Sequence, residues 1–171
     1  MSKMGNVVDL VLKYNELKNS VLPLASSKDV AHNAQNEIRK IRDGLWNSFA
    51  NIEPDGVVSF NSPQEIAGVI SILLDTGKIF GIRWKRKTTS KSKPAKVAGS
   101  IDTLTVKKVS GYVKGTSGGK KHLEDVQKGR VTLWVANGGL QDEGFGNWRT
   151  IYAKDIQGIC LGGVFVGFEL A

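Results

Sequence analysis

A chain of 171 residues with 40 % hydrophobic and 23 % charged residues has the composition of one folded domain, which excludes a wholly disordered protein. No apolar run approaches the roughly eighteen residues of a membrane span, and Asp9 and Lys13 interrupt the N-terminal region, so neither a membrane protein nor a secretory leader is expected. The formal net charge is +8, and the single cysteine, Cys160, excludes an intrachain disulfide and favours a reducing compartment.

The N-terminal residues 1–50 predict two helices. Apolar residues recur from Val7 onward at spacings of three and four, and Pro23 ends this first helix. Ser26 and Asp29 then resemble a capping box that starts a second helix with its own apolar seam. We interpret this region as a helical hairpin arm that folds on itself or assembles in trans. The seam residues that such an interface would use are Leu10, Tyr14, Leu17, Val21, Ile38, Ile41 and Leu45.

A short strand and a helix are predicted next. Residues 57–60 are rich in β-prone side chains and follow a turn. Ser62, Pro63 and Glu65 occupy the positions of an N-cap, a first helical residue and a capping-box acid. Gly77 stands where a left-handed C-cap is expected, so the helix ends there.

From Lys78 onward the apolar period becomes two, which is typical of strands. Phe80, Ile82 and Trp84 share one face and are expected in the core, whereas Trp134 lies opposite the apolar face of its strand and is expected to be exposed or at an interface. Short strands with glycine-rich corners favour a small barrel. The further predicted strands are 104–109, 131–135, 148–153, 159–161 and 164–168.

The order of these elements carries a family resemblance over residues 57–163. Its parts are the strand around Ile82 and Trp84, the segments 104–106 and 111–115, the strand 131–135, and Trp148-Arg149-Thr150-Ile151 with Asp155-Ile156. This pattern resembles the Sm-like, SH3-like small β-barrels of tailed phages, of the WYL type. The resemblance implies a fold and a phage origin more than an activity, with the host cytoplasm or the virion as the location.

The predicted fold class is therefore α+β. It combines an N-terminal helical hairpin with a C-terminal small SH3-like β-barrel that is preceded by one strand and one helix. The predicted domains are a hairpin arm over 1–50 and a barrel domain over 51–171.

Positive charge is concentrated in residues 78–121. This segment holds thirteen of the 24 Lys and Arg residues and one acidic residue, Asp102, whereas the rest of the chain sums to −4. A field of this size attracts polyanions, of which nucleic acid is the commonest, and a merely soluble surface would intersperse acidic residues. Tyr112 is the candidate for stacking on bases. The predicted phosphate contacts are Arg83, Lys85, Arg86, Lys87, Lys91, Lys93, Lys96, Lys107, Lys108, Lys114, Lys120 and Lys121.

Recognisable catalytic chemistry is absent from the sequence. The glycine-rich loop 115–121 fails the phosphate-loop pattern, because Lys114 stands where a glycine is needed and Lys121 where Ser or Thr is needed. The two histidines and the cysteine have no metal-ligand spacing. We expect no enzyme activity, no metal and no cofactor.

We therefore expect a non-catalytic phage accessory protein that binds nucleic acid, or another polyanion, largely without sequence specificity. One alternative is a structural or interaction protein, such as a minor virion or capsid-associated subunit, that assembles with its own copies or with virion proteins through the helical hairpin. Another is an inhibitor that directs the basic surface at an acidic host enzyme.

Overall fold

The computed structural model describes residues 2–3, 7–87, 98–107, 125–135 and 148–171. Three α-helices, a further helical segment at residues 125–127 and eight strands lie in these residues. In chain order they are β1 (Ser2–Lys3), α1 (Val7–Glu16) continued by a π-helical segment (Leu17–Val21), α2 (Lys28–Ala50), β2 (Val57–Phe60), α3 (Pro63–Asp75), β3 (Phe80–Lys85), β4 (Ile101–Lys107), β5 (Arg130–Val135), β6 (Trp148–Tyr152), a 3-10 turn (Ala153–Asp155), β7 (Ile156–Leu161) and β8 (Val164–Leu170).

All eight strands belong to one sheet with the order β1-β2-β8-β7-β3-β4-β5-β6. The pairs β1–β2 and β2–β8 are parallel, and every other neighbouring pair is antiparallel. Within the described residues β1 and β6 are the two edges, so the sheet is open. The protein is mixed α+β as predicted, but a closed barrel is not confirmed.

Helix α3 is the centre of the hydrophobic core. Its residues from Ile66 to Leu74 are buried, with the exception of Ser71. Ser62 Oγ accepts a hydrogen bond from the Glu65 backbone at 3.3 Å, and Glu65 Oε2 accepts one from the Asn61 backbone at 3.0 Å. This reciprocal cap confirms the predicted helix start. Gly77 follows the helix with a φ of 75°, as predicted.

The N-terminal helices cover α3 and the sheet. The Val11 side chain lies so close to Gly68 of α3 that a Cβ atom there would be 2.6 Å from Val11 Cγ1. On α2, the Trp46 ring meets the Phe80 ring edge-on with 5.8 Å between centroids. One continuous cluster of buried side chains therefore joins α1, α2, α3 and the sheet. The helix α2 also begins one residue later than predicted, because Ser27 and not Ser26 caps it.

The residues of the predicted helical seam pack largely within their own chain, and assembly through them stays a prediction. Tyr14, Ile38 and Leu45 are buried, Leu10, Leu17 and Ile41 are partly buried against the same core, and Val21 is half-buried.

A polar cluster fixes α1 to the end of α3. The Tyr14 hydroxyl donates to Asp75 Oδ2 at 2.5 Å, and Lys18 Nζ donates to the same oxygen at 2.6 Å. Burial raises the pKa of the Tyr14 hydroxyl above its usual 10.0, and the neighbouring Asp75 carboxylate raises it further. Neutral Tyr14 is therefore favoured by folding.

We predict that Tyr14→Phe removes a hydrogen bond and, with it, the part of the stability that the protein loses at alkaline pH when Tyr14 ionises. Because the pKa of Tyr14 is higher in the folded than in the unfolded chain, its contribution is complete below about pH 10 and is lost as the pH rises above that value. The variant should lose about 1–2 kcal/mol at pH 7, and this deficit should shrink in alkali. Urea unfolding of both proteins across this pH range is the measurement, and a deficit that stays constant with pH contradicts the prediction.

Gly158 of β7 is required by a close approach of β8. A Cβ atom at this position would overlap the carbonyl oxygen of Val166 and lie 2.6 Å from the Phe165 ring. Gly44, on an exposed part of α2, has no atom within 4 Å of such a Cβ.

We predict opposite effects of alanine at these two glycines. Gly158→Ala should destabilise the protein by about 1–3 kcal/mol because the added methyl group overpacks the sheet. Gly44→Ala should stabilise it by roughly 0.5–1 kcal/mol because glycine is unfavourable inside a helix. Chemical denaturation reports both values, and a stable Gly158→Ala protein would refute the β7–β8 packing described above.

Candidate nucleic-acid interface

The indole of Trp84 lies between two arginine side chains. The residue is 5 % exposed, which confirms its predicted place in the core. Arg86 Cζ lies 5.4 Å from the ring centroid, and Arg149 Cζ lies 4.7 Å from it. Arg149 is on β6, and β4 and β5 stand between β6 and β3 in the sheet. The sheet must therefore curl strongly, so that its outer strand returns to β3.

The basic residues at the end of β3 separate into buried and exposed ones. Lys85 and Lys87 are exposed, and Arg83 is half-buried with its guanidinium 3.9 Å from the Phe165 ring centroid. Arg86 is only 3 % exposed. Its prediction as a surface phosphate contact is therefore corrected: the side chain points inward like that of Trp84, and its backbone pairs with Ser100.

Most of the other predicted nucleic-acid contacts cannot be placed. Lys107 pairs with Trp134 through the backbone, and its side chain lies outside the described part of the structure. The contacts that lie wholly outside the described residues, and so stay predictions, are Lys91, Lys93, Lys96, Lys108, Tyr112, Lys114, Lys120 and Lys121.

Two cationic side chains from different elements lie beside Tyr152, which is at the end of β6. Lys87 Nζ lies 3.8 Å from the centroid of its ring and Lys154 Nζ lies 6.0 Å from it. The residue is 44 % exposed. Lys87 Nζ is also 3.8 Å from Asp155 Oδ2, a long ion pair that leaves 42 % of the lysine side chain exposed. The result is an accessible aromatic ring flanked by two ammonium groups.

The sequence analysis missed Arg149, Tyr152 and Lys154 as candidate site residues. They lie outside the segment 78–121, on which the charge argument depended. A signal was present, since the three residues alternate cationic and aromatic side chains within six positions of the chain. Only the curl of the sheet, however, shows that they meet Trp84 and Lys87.

The strands β5 and β6 form a two-stranded ribbon at the edge of the sheet. Its core side carries the buried Val131, Leu133 and Val135. We call the opposite side the outer face of β5–β6, and it comprises Arg130, Thr132, Trp134, Thr150 and Tyr152. In the register Arg130 lies opposite Tyr152 and Thr132 opposite Thr150.

Hydrogen bonds order one end of this outer face. The buried Asp125 accepts from Arg130 Nε at 2.7 Å and from Thr132 Oγ1 at 2.9 Å. The hydroxyl groups of Thr132 and Thr150 lie 2.7 Å apart. The polar side chains between Trp134 and Tyr152 are therefore held in place before any ligand arrives.

The described residues include a cleft but no metal-ligating cluster. No group of three or more His, Cys, Asp or Glu side chains among them could hold a metal ion. A cleft of about 360 Å³ lies between α1, the start of α3 and residues 125–127. The carboxylate of Glu65, which reaches this cleft, is already used in the cap of α3. In the same part of the chain, no helix has the length and apolar character needed to cross a membrane.

Comparison of the chain with protein-family models, with curated proteins and with solved structures finds no match. The resemblance to phage small barrels therefore stays a prediction.

We predict that alanine substitutions separate the structural from the surface cations. Arg86→Ala should cost roughly 1–3 kcal/mol of stability, because it removes a long buried side chain from beside Trp84. Lys85→Ala should change stability by less than about 0.5 kcal/mol, because the side chain is exposed. Thermal or urea unfolding compares the two, and equal costs would contradict the assigned burial.

Proposed function

We propose that this protein binds nucleic acid without catalysing a reaction on it, and largely without sequence specificity. The observation that carries the proposal is the segregation of charge into residues 78–121, thirteen basic side chains against one acidic. The exposure of Lys85 and Lys87 at the end of β3 supports it, and Lys154 adds a third exposed cation from another element.

The mechanism would be phosphate neutralisation. Each ammonium group that engages a phosphate releases a condensed counterion, which favours binding and makes it sensitive to salt. A lysine is a flexible point charge and does not impose the bidentate geometry by which arginine reads a guanine edge. A surface of exposed lysines therefore suits backbone contact and carries little sequence information.

We also propose that β3 to β7 form an incompletely closed SH3-like barrel. Their spatial order is β7-β3-β4-β5-β6, so the strands at its two ends, β6 and β7, are consecutive in the chain. The short turn Ala153–Asp155 joins β6 to β7, and Arg149 reaches back to Trp84. These features support a nearly closed sheet, and they agree with the expected phage small barrel, which would make the protein a phage accessory factor.

We favour less the alternative of a subunit that assembles through the helical hairpin. It depended on the apolar seams of the first fifty residues, and those seams are covered within the chain. No described feature favours it over binding through the basic surface.

We predict that the salt dependence of binding responds to the position of the lysines as well as to the net charge. Replacing Lys85, Lys87 and Lys154 together by Gln should lower the log–log salt slope by about 2–3 and weaken binding on the order of tenfold or more at low salt. The matched control replaces Lys28, Arg39 and Lys40, three exposed cations of α2, and should change the slope far less.

Fluorescence anisotropy with labelled oligonucleotides over a salt series measures both quantities. Equal losses in the two variants would mean that only net charge matters. Absence of binding by the unmodified protein at low salt would refute the proposed function.

A further inference from the structure

We propose that the outer face of β5–β6 binds unpaired nucleobases, so that the ligand is single-stranded nucleic acid. This inference rests on the proposed function and specifies its substrate class. Two aromatic side chains of that face, Tyr152 and Trp134, would stack on bases, and the lysines beside Tyr152 would hold the phosphates that connect them.

Tyr152 has the environment of a stacking residue. Its ring is accessible at the edge of the sheet, and it is flanked by Lys87 at 3.8 Å and Lys154 at 6.0 Å. A base on this ring would bring its own phosphate group within reach of an ammonium group. Stacking and charge neutralisation would then act on the same nucleotide.

Asp155 positions Lys87 and leaves donors of its ammonium group available to a phosphate. Its carboxylate is largely buried, with 18 % of the side chain exposed, and its Oδ2 atom makes no hydrogen bond within the described residues. An ion pair of 3.8 Å holds the lysine next to Tyr152, while an ammonium group has three donors and can turn others to a phosphate. The carboxylate therefore orders the cation at the place where the strand would pass.

Trp134 marks the other end of the outer face. It is half-buried and shares its side of β5 with Arg130, which lies opposite Tyr152. Trp134 lies four residue steps along the strand from Arg130, a distance of about 13 Å at roughly 3.3 Å per residue. This length matches about four steps of a stacked strand at 3.4 Å per nucleotide, and fewer steps of an extended one.

The side chains between the two aromatic residues are short. The Thr132 hydroxyl donates to Asp125 and accepts from the Thr150 hydroxyl, so neither threonine presents an unsatisfied donor that would need a specific base. Flat rings at both ends and small side chains between them accommodate the faces of bases. A duplex hides those faces inside its own stack and would contact this surface through phosphates alone.

The test measures binding of the full chain to three probes of equal length: a short oligodeoxythymidine, the corresponding oligouridine, and a DNA duplex. At matched salt, at least one single strand should bind more tightly than the duplex. Tyr152→Ala should weaken binding of that strand about five- to a hundredfold while leaving its salt slope unchanged, because stacking involves no phosphate. Tyr152→Phe keeps the ring and should bind like the unmodified protein.

An abasic strand provides the matched control, because it has phosphates without bases. Tyr152→Ala should not weaken its binding. Trp134→Leu, a second variant at the other end of the face, should weaken the single strand and spare the abasic one. The single strand that binds more tightly, DNA or RNA, then shows which sugar the protein prefers.

The inference is overturned if neither single strand binds more tightly than the duplex, or if Tyr152→Ala weakens the abasic strand as much as the normal one. In either case, if the variant with Lys85, Lys87 and Lys154 replaced by Gln still binds more weakly, the proposed function remains supported. If no probe binds at low salt, both proposals fail together.

Discussion

The contact of Trp84 with Arg86 and Arg149 is the interaction on which the arrangement of the basic surface depends. It joins the end of β3 to β6 across two intervening strands. Because Arg149 is held there, Tyr152, three residues further along, arrives beside Lys87. The indole nitrogen makes no hydrogen bond within the described residues, and both guanidinium groups lie within cation–π distance of the ring.

Local sequence signals predicted the local structure. The cap formed by Ser62 and Glu65 and the alternation of Phe80, Ile82 and Trp84 each act within a few residues, and each is confirmed. The two parallel strand pairs at the edge formed by β1, β2 and β8 were not predicted, because they join segments distant in sequence.

The packing of the N-terminal helices on α3 was not predicted, for a related reason. A seam of apolar residues shows that one side of a helix is buried, but it does not identify the surface that covers it. Helix α3 is buried around most of its circumference and needs more cover than the sheet provides. The first two helices supply that cover, so Val11 contacts Gly68, and Tyr14 contacts Asp75. An independent hairpin would leave α3 exposed.

The candidate site was predicted in part. The alternation rule, applied strictly, places Arg86 on the same side as Trp84 and thus inward, so its burial was accessible from the sequence. The position of Tyr152 beside Lys87 could not be predicted from the sequence, since nothing near Tyr152 in the chain specifies that β6 curls back to β3. The density of positive charge in the sequence indicated the region of the candidate site, whereas the tertiary fold determines which cationic side chains are exposed there.

Aromatic rings order the basic residues in a way that preserves their charge. Elsewhere in the chain, Lys13 pairs with Glu37 and Lys18 with Asp75, which cancels charge locally. A ring attracts a cation through its quadrupole and carries no net charge, so a cation held by it retains its full field for a phosphate. The described contacts of this kind from the basic segment are Lys78 on Trp46, Arg83 on Phe165, Arg86 on Trp84 and Lys87 on Tyr152, and of these Lys87 also has a long ion pair with Asp155. Cations ordered in this way keep the electropositive field on which the proposed binding of nucleic acid depends.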